Sequence, residues 1–331
     1  MPSEGRGILS PVRLPVPPLQ QVFGSFEFIV QRREIGTGPA PCENPNVPAT
    51  RSRIPELLHV SVNGLDLAVW DWPGEDPPVL FVHATSFHGR CWDEVIRHLP
   101  HRHCLAFEAR GHGRSAKPDP PYHWRSLADD LFRTAELLNL TGAIGVGHSM
   151  GGFTVTAAAA LRPGTFSALL LVDPTIRVPE AYGTKPLDAS FIRRRREHWS
   201  SPGEMFEKLQ RRAPFDRWER VVLEDYCKFG LLPNGAGFTL ACPPAVEASI
   251  YECSKEAAAD PSREISAVTV PVTVLRAGFP SPPLFAEDPS PVDPKLASRF
   301  LRGRDVFLPD HAHLIPMEAP ELVAGHIAAL R

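Results

Sequence analysis

Ser149 sits in the run Gly145-Val146-Gly147-His148-Ser149-Met150-Gly151-Gly152, with Gly147 and Gly151 at the G-x-S-x-G spacing. That spacing suits a sharp turn from strand to helix, where side chains at the two glycine positions would collide with the neighbouring strand and helix. The serine is then held in a strained backbone, its oxygen exposed above the positive end of a helix dipole. Such a serine attacks carbonyls. A hydroxyl is a weak nucleophile at neutral pH, so it needs a base within hydrogen-bond reach and a carboxylate to fix that base's tautomer. Of thirteen histidines, His311, His313 and His326 alone follow the last predicted core strand. His326 falls inside a helical stretch, which leaves His311 and His313 as candidates for the base.

A nucleophile of this kind must be held at a sheet edge, and the elements for that can be read in order. Leu58–Val62 and Leu65–Trp70 form a predicted hairpin around Asn63-Gly64, the pair that best tolerates the positive dihedrals of its turn. Pro78–Val82 is a continuous apolar run, as in a strand buried on both faces. A helical pattern near Trp92–Leu99, a strand at Cys104–Glu108 and a helix over Ser126–Leu138 precede the strand Ala143–Val146 that feeds Ser149. The alanine-rich helix Phe153–Leu161 and the strands Ser167–Val172, Val270–Arg276 and Asp305–Leu308 follow. The pattern predicts an open, mostly parallel α/β sheet with an antiparallel start and helices on both faces.

Three further motifs accompany the serine turn. His83-Ala84-Thr85 ends the strand Pro78–Val82, Glu108-Ala109-Arg110-Gly111-His112-Gly113-Arg114-Ser115 follows the next, and His311-Ala312-His313-Leu314-Ile315-Pro316-Met317-Glu318 follows the last. Together they resemble the α/β-hydrolase fold superfamily over roughly residues 57 to 331. The resemblance implies that His83-Ala84-Thr85 is the oxyanion segment and that His313 is the catalytic histidine. It also implies the backbone N–H groups of Thr85 and Met150 as donors to a developing oxyanion. The chain departs from the family pattern at Ala84, where glycine is usual, and at Glu108, where aspartate is usual.

The acid has two candidates. The commonest family position follows the strand Val270–Arg276, but here the place after Gly278 holds Phe279-Pro280-Ser281, and the next aspartate is Asp288. Asp173 directly follows Ser167–Val172, which a single helix connects to the nucleophile strand. Right-handed crossover makes those strands parallel neighbours, so Ser149 and Asp173 emerge at one carboxyl edge. Asp173 is preferred, and the set Ser149, Asp173 and His313 implies acyl transfer to water from an ester, thioester or lactone. Hydrolysis of a carbon–carbon bond next to a ketone and a ligand-binding role without turnover are the alternatives.

Residues 1–54 read as a proline-rich extension with one apolar island, Phe23–Val30, and residues 55–174 with 263–331 as the core. The intervening 175–262 reads as a helical lid, with helices near Ala189–His198, Gly203–Arg212 and Trp218–Phe229. Its aromatics, among them Phe191, Trp199, Phe206, Phe215, Trp218, Tyr226 and Phe229, suit either an apolar pocket or the lid's own core. The basic run Arg193–Arg196 reads as a solvated helix face, with anion attraction as the alternative. His98, His101, His103 and Cys104 cluster without a second ligand pair, so no metal is expected, and no glycine-rich phosphate loop implies a cofactor. A net charge of -3 and a moderate 22% of charged residues imply neither nucleic-acid nor membrane binding. The scattered six cysteines read as free thiols, and no signal-peptide pattern opens the chain, so the expected setting is cytoplasmic and the expected partner a small acyl substrate. Oligomeric state is left open.

Overall fold

The structure, a computed structural model, describes residues 30–33, 53–279 and 290–330. Strand β1 (Val30–Arg33) pairs antiparallel with β2 (Glu56–Val62), so a short piece of the proline-rich extension, beginning at the last residue of the apolar island, edges the main sheet. Asn63 and Gly64 take φ of 54° and 75° and turn β2 into β3 (Leu65–Trp72), as the Asn-Gly pair predicts. Next come β4 (Glu75–Val82), a 3₁₀ turn over Gly89–Trp92 leading into the short α1 (Asp93–Arg97), β5 (Arg102–Phe107) and α2 (Trp124–Leu137). They lead to β6 (Ala143–His148), α3 (Met150–Leu161) and β7 (Phe166–Val172). After β7 the chain leaves the sheet through β8 (His198–Trp199), α4 (Pro202–Leu209), α5 (Arg220–Phe229), β9 (Leu231–Asn234), β10 (Gly237–Leu240), α6 (Pro244–Cys253) and α7 (Ser262–Ala267). It returns through β11 (Val272–Ala277), α8 (Leu296–Arg299), β12 (Gly303–Leu308), α9 (Ile315–Glu318) and α10 (Pro320–Ala328).

The nine-stranded sheet runs β1-β2-β3-β5-β4-β6-β7-β11-β12, antiparallel as far as β5 and parallel from there on. Alternation along the strands divides the core. Leu80 and Val82 join α2 and α3 on one face, while Val79 and Phe81 join α1 and α10 on the other. Each fully buried side chain of this size contributes about 1.5–3 kcal/mol. Register then sets the site: Val82 lies opposite Gly147, and His148 opposite Val172. The chain segments that leave β4, β6 and β7 therefore emerge level at one carboxyl edge.

The turn after β5 locks the sheet beneath that edge. The fully buried Glu108 carboxylate accepts from Trp70 Nε1 at 2.9 Å, from Gly89 N at 3.1 Å and from the Arg114 amide, tying β3 and the loop before α1 to one point. Ser115 Oγ accepts from Ala68 N at 2.8 Å and donates to the Glu108 carbonyl. Glutamate in place of the usual aspartate is thus used in full, and a Cβ at Gly113 would run into its carboxylate.

Two expectations for residues 175–262 need correction. No helix spans Ala189–His198: one 3₁₀ turn at Ile192–Arg194 gives way to β8, which joins a small sheet in the order β8-β10-β9. The basic run is not a solvated helix face either. Arg193 pairs with Glu252, Arg195 with Glu247 and Arg196 with Glu204, while Ile192 packs on Ala248. Partners on α6 and α4 pull successive arginines in different directions, which overrides local helix propensity.

Glu108→Ala would leave three buried donors without an acceptor, so it should lower stability by about 3–5 kcal/mol. Urea unfolding monitored by tryptophan fluorescence measures this, and a loss below 1 kcal/mol would contradict the anchoring role.

Candidate active site

Ser149 lies between β6 and α3 with φ 54° and ψ -116°, a conformation rare for any residue with a side chain and costing about 1–3 kcal/mol. The surrounding backbone enforces it. A Cβ at Gly147 would strike the backbone of Gly151, one at Gly151 the carbonyl of Val82, and one at Gly152 the side chain of Pro174. The turn can close only because all three lack side chains.

Ser149 Oγ is 3.0 Å from His313 Nε2, and His313 Nδ1 is 2.6 Å from Asp173 Oδ2. His313 occupies the loop between β12 and α9, and Asp173 directly follows β7, where its φ of 39° is one that aspartate tolerates. Asp173 is fully buried, and its Oδ1 accepts from Ala277 N at 2.9 Å and from Ser290 Oγ at 3.0 Å. Those bonds hold the carboxylate as an acceptor, so the imidazole carries its proton on Nδ1 and turns a lone pair on Nε2 toward the serine. The structure therefore brings together Ser149, Asp173 and His313. Asp288 lies outside the described residues. His311 stands 3.8 Å from Glu318 instead of facing Ser149, and His326 lies on α10.

Three residues at the site make contacts that have no sequence signature. Thr175 Oγ1 lies 3.0 Å from Ser149 Oγ, and Thr175 N donates to the Ser149 carbonyl at 2.9 Å. Ser290 on Asp173 is separated from it by 117 residues. His148 Nε2 donates to the backbone carbonyl of His313 at 2.9 Å, fixing the loop that carries this histidine. Burial, reinforced by the nearby His313, lowers the pKa of His148 to about 3, so at neutral pH it is an uncharged donor.

The loop after β4 presents Thr85 to the same space. His83 Nδ1 donates to the Ala84 carbonyl at 2.8 Å, and its Nε2 accepts from Ala109 N at 3.1 Å. Next to it, His112 Nε2 accepts from Ser86 N at 3.1 Å. Burial lowers the pKa of both rings, which keeps them neutral and able to accept. His88 donates from Nε2 to the Tyr226 carbonyl and stacks on that ring, a bracing contact away from Ser149. No partner among the described residues takes up the N–H groups of Thr85 or Met150. Both are available to an incoming oxygen.

Ser149, Thr85, Thr175 and His313 open into a cavity of about 830 Å³ between the sheet edge and residues 175–262. The aromatics divide. Phe191, Phe215, Trp218 and Tyr226 line the cavity; Trp218 and Tyr226 also belong to the apolar cluster in which Trp199 and Phe206 are buried among Met205, Leu223 and Leu231. Phe229 instead stacks under Arg90 and beside Trp70. Among the described residues, His123, Cys253 and Glu256 are the group close enough to share a metal, and His123 already pairs with Glu256 at 2.9 Å. The His98 to Cys104 cluster is dispersed: His98 approaches Glu94 and His103 bonds Asp71. Among the described residues no helix is long and apolar enough to cross a membrane.

Residues 79–326 match the model of the alpha/beta hydrolase family. The chain belongs to that family. It is similar to Lipase LipV of Mycobacterium tuberculosis, 33% identical over 129 residues, which cover 38% of this chain and 48% of that protein. It is also similar to the bifunctional esterase/perhydrolase DCH of Acinetobacter calcoaceticus, 29% identical over 151 residues covering 45% and 51%. The chain thus spans about half the length of these curated relatives. Among solved structures, E-2-(acetamidomethylene)succinate hydrolase superposes with a TM-score of 0.66 at 20% identity, over 83% of this chain and 98% of that one. A thermophilic esterase from Thermogutta terrifontis gives 0.59 at 25% identity, over 82% and 96%. The family fold and its mostly parallel sheet agree with the resemblance drawn from the four motifs.

His148 links the site to acid stability. Its pKa is depressed in the fold relative to about 6.5 unfolded, so the unfolded chain binds the extra proton between those values. Stability from this group is complete above pH 6.5 and falls as pH drops toward 3, at about 1.4 kcal/mol per pH unit. His148→Gln should flatten the stability slope between pH 6 and 4 by about that amount. Equal slopes for the two proteins in urea titrations would refute the assignment.

Proposed function

We propose that this protein is a serine hydrolase that cleaves a carboxylic ester, thioester or lactone through an acyl-enzyme on Ser149. The observation that carries the reading is the continuous relay from Asp173 through His313 to Ser149, at 2.6 and 3.0 Å. His313 takes the Ser149 proton as Oγ attacks the carbonyl carbon, and buried Asp173 stabilises the imidazolium that forms. The N–H groups of Thr85 and Met150 donate to the oxyanion, aided by the N-terminus of α3. His313 then protonates the leaving group, and a water activated by the same nitrogen attacks the acyl-enzyme and releases the acid.

Thr175 Oγ1 provides a resting partner for the serine hydroxyl and holds it near His313. Residues 175–262 act as the lid: they roof a cavity of a size suited to one small molecule, and closure there keeps bulk water from the acyl-enzyme. Lipases and esterases among the relatives agree with ester chemistry.

A fluorophosphonate probe should label the wild-type protein and fail to label Ser149→Ala. Absence of labelling in folded wild type would favour a non-catalytic member of the fold. Asp173→Asn should lower kcat on a p-nitrophenyl ester by about 10³–10⁴-fold with KM changed far less, because the imidazole is left in the wrong tautomer. Unimpaired turnover in that variant would move the acid elsewhere.

A further inference from the structure

The end of α6 is fastened to the start of α2 by bonds on both sides of one histidine. Tyr122 N donates to Ser249 Oγ at 3.0 Å, and Trp124 Nε1 to the Ile250 carbonyl at 2.9 Å. Arg125 donates to the carbonyls of Ala258 and Asp260 at 2.5 and 2.6 Å. Among these residues stands His123, immediately before α2, with its ring toward the turn that follows α6.

That turn brings two more side chains able to hold a metal. His123 Nδ1 lies 3.2 and 2.9 Å from the two carboxylate oxygens of Glu256, a residue 133 positions away. The Cys253 thiol completes the group, whose ligand atoms all fall within 4.8 Å of one another. Cys253 is buried, Glu256 half-buried and His123 exposed, so the group is closed on its inner side and open on its outer one. A separation of this length leaves no metal-binding spacing in the sequence; the fold alone assembles the set.

We propose that His123, Cys253 and Glu256 form a zinc site, with water in the fourth position, that staples α6 to the N-terminus of α2. Bonds of about 2.0–2.3 Å to Zn²⁺ place tetrahedral ligands roughly 3.3–3.6 Å apart. The His123–Glu256 separations are already close to that spacing, and the bonds of Tyr122, Trp124 and Arg125 hold the backbone around them, so side-chain rotation alone closes the site. Thiolate and imidazole select zinc over magnesium or calcium, which take oxygen ligands. On binding, the Cys253 thiol gives its proton to solvent and its sulfur lone pair to the metal, and the thiolate and the Glu256 carboxylate balance the two charges of the ion. Cys253 and Glu256 belong to residues 175–262 and His123 to the core. Bound zinc therefore adds a link where the two meet and stabilises the folded chain. The site is independent of the chemistry at Ser149.

The test uses the full chain, freed of metal with a chelator and kept under a phosphine reductant. Titrated with Co²⁺, it should take up one ion per chain with a thiolate-to-cobalt charge-transfer band, and Zn²⁺ should displace that ion and raise Tm. Cys253→Ser should abolish the band. His123→Ala and Glu256→Gln, at positions outside the core, should each weaken Zn²⁺ binding by about tenfold or more and remove the rise in Tm, with the circular dichroism of the metal-free protein unchanged. They decide the matter should Cys253→Ser fail to fold. Absence of the charge-transfer band in wild type, or equal Zn²⁺ affinity in wild type, His123→Ala and Glu256→Gln, would overturn the site.

Discussion

The geometry of the site depends on the close approach of four backbone segments around Ser149. Gly147 lies against Gly151, Gly151 against the carbonyl of Val82, and Gly152 against Pro174. That contact brings the ends of β4, β6 and β7 together with the first turn of α3. It forces Ser149 into its positive φ, and it lets Thr85, Met150 and Asp173 surround one small volume. The strain is sustained by the sheet beneath: β6 is buried along its whole length, and Glu108 ties β3 and the loop before α1 into the same framework.

A second layer of contacts orients groups that the sheet alone would leave loose. His313 comes from a loop 164 residues from Ser149, and its position is held by Asp173 on one side and by the His148 donor at its carbonyl. Asp173 is itself oriented by Ala277 N and Ser290. Burial of His83 and His112 serves this layer, because each ring must remain neutral to accept the backbone N–H it meets, and burial keeps the His148 donor uncharged as well.

Residues 175–262 follow a different logic. Their aromatic residues Trp199, Phe206, Trp218 and Tyr226 form one apolar cluster that reaches the cavity through Trp218 and Tyr226, and ion pairs to α4 and α6 shape the basic run.

Local sequence alone determined the strand-turn-helix about Ser149, the Asn63-Gly64 hairpin and the alternating order of strands and helices. Each rests on sterics or periodicity within a few residues. The four motifs led to the family, and crossover handedness gave the reason to prefer Asp173, because neighbouring parallel strands end at the same edge. Tertiary structure decided what depends on pairs far apart in the chain: Thr175 on Ser149, Ser290 on Asp173 and His148 beneath His313. It also decided that Ala189–His198 is not a helix. Propensity describes a segment by itself, whereas Arg193, Arg195 and Arg196 found their glutamates on other elements, and that choice could be made only once the chain had folded around it.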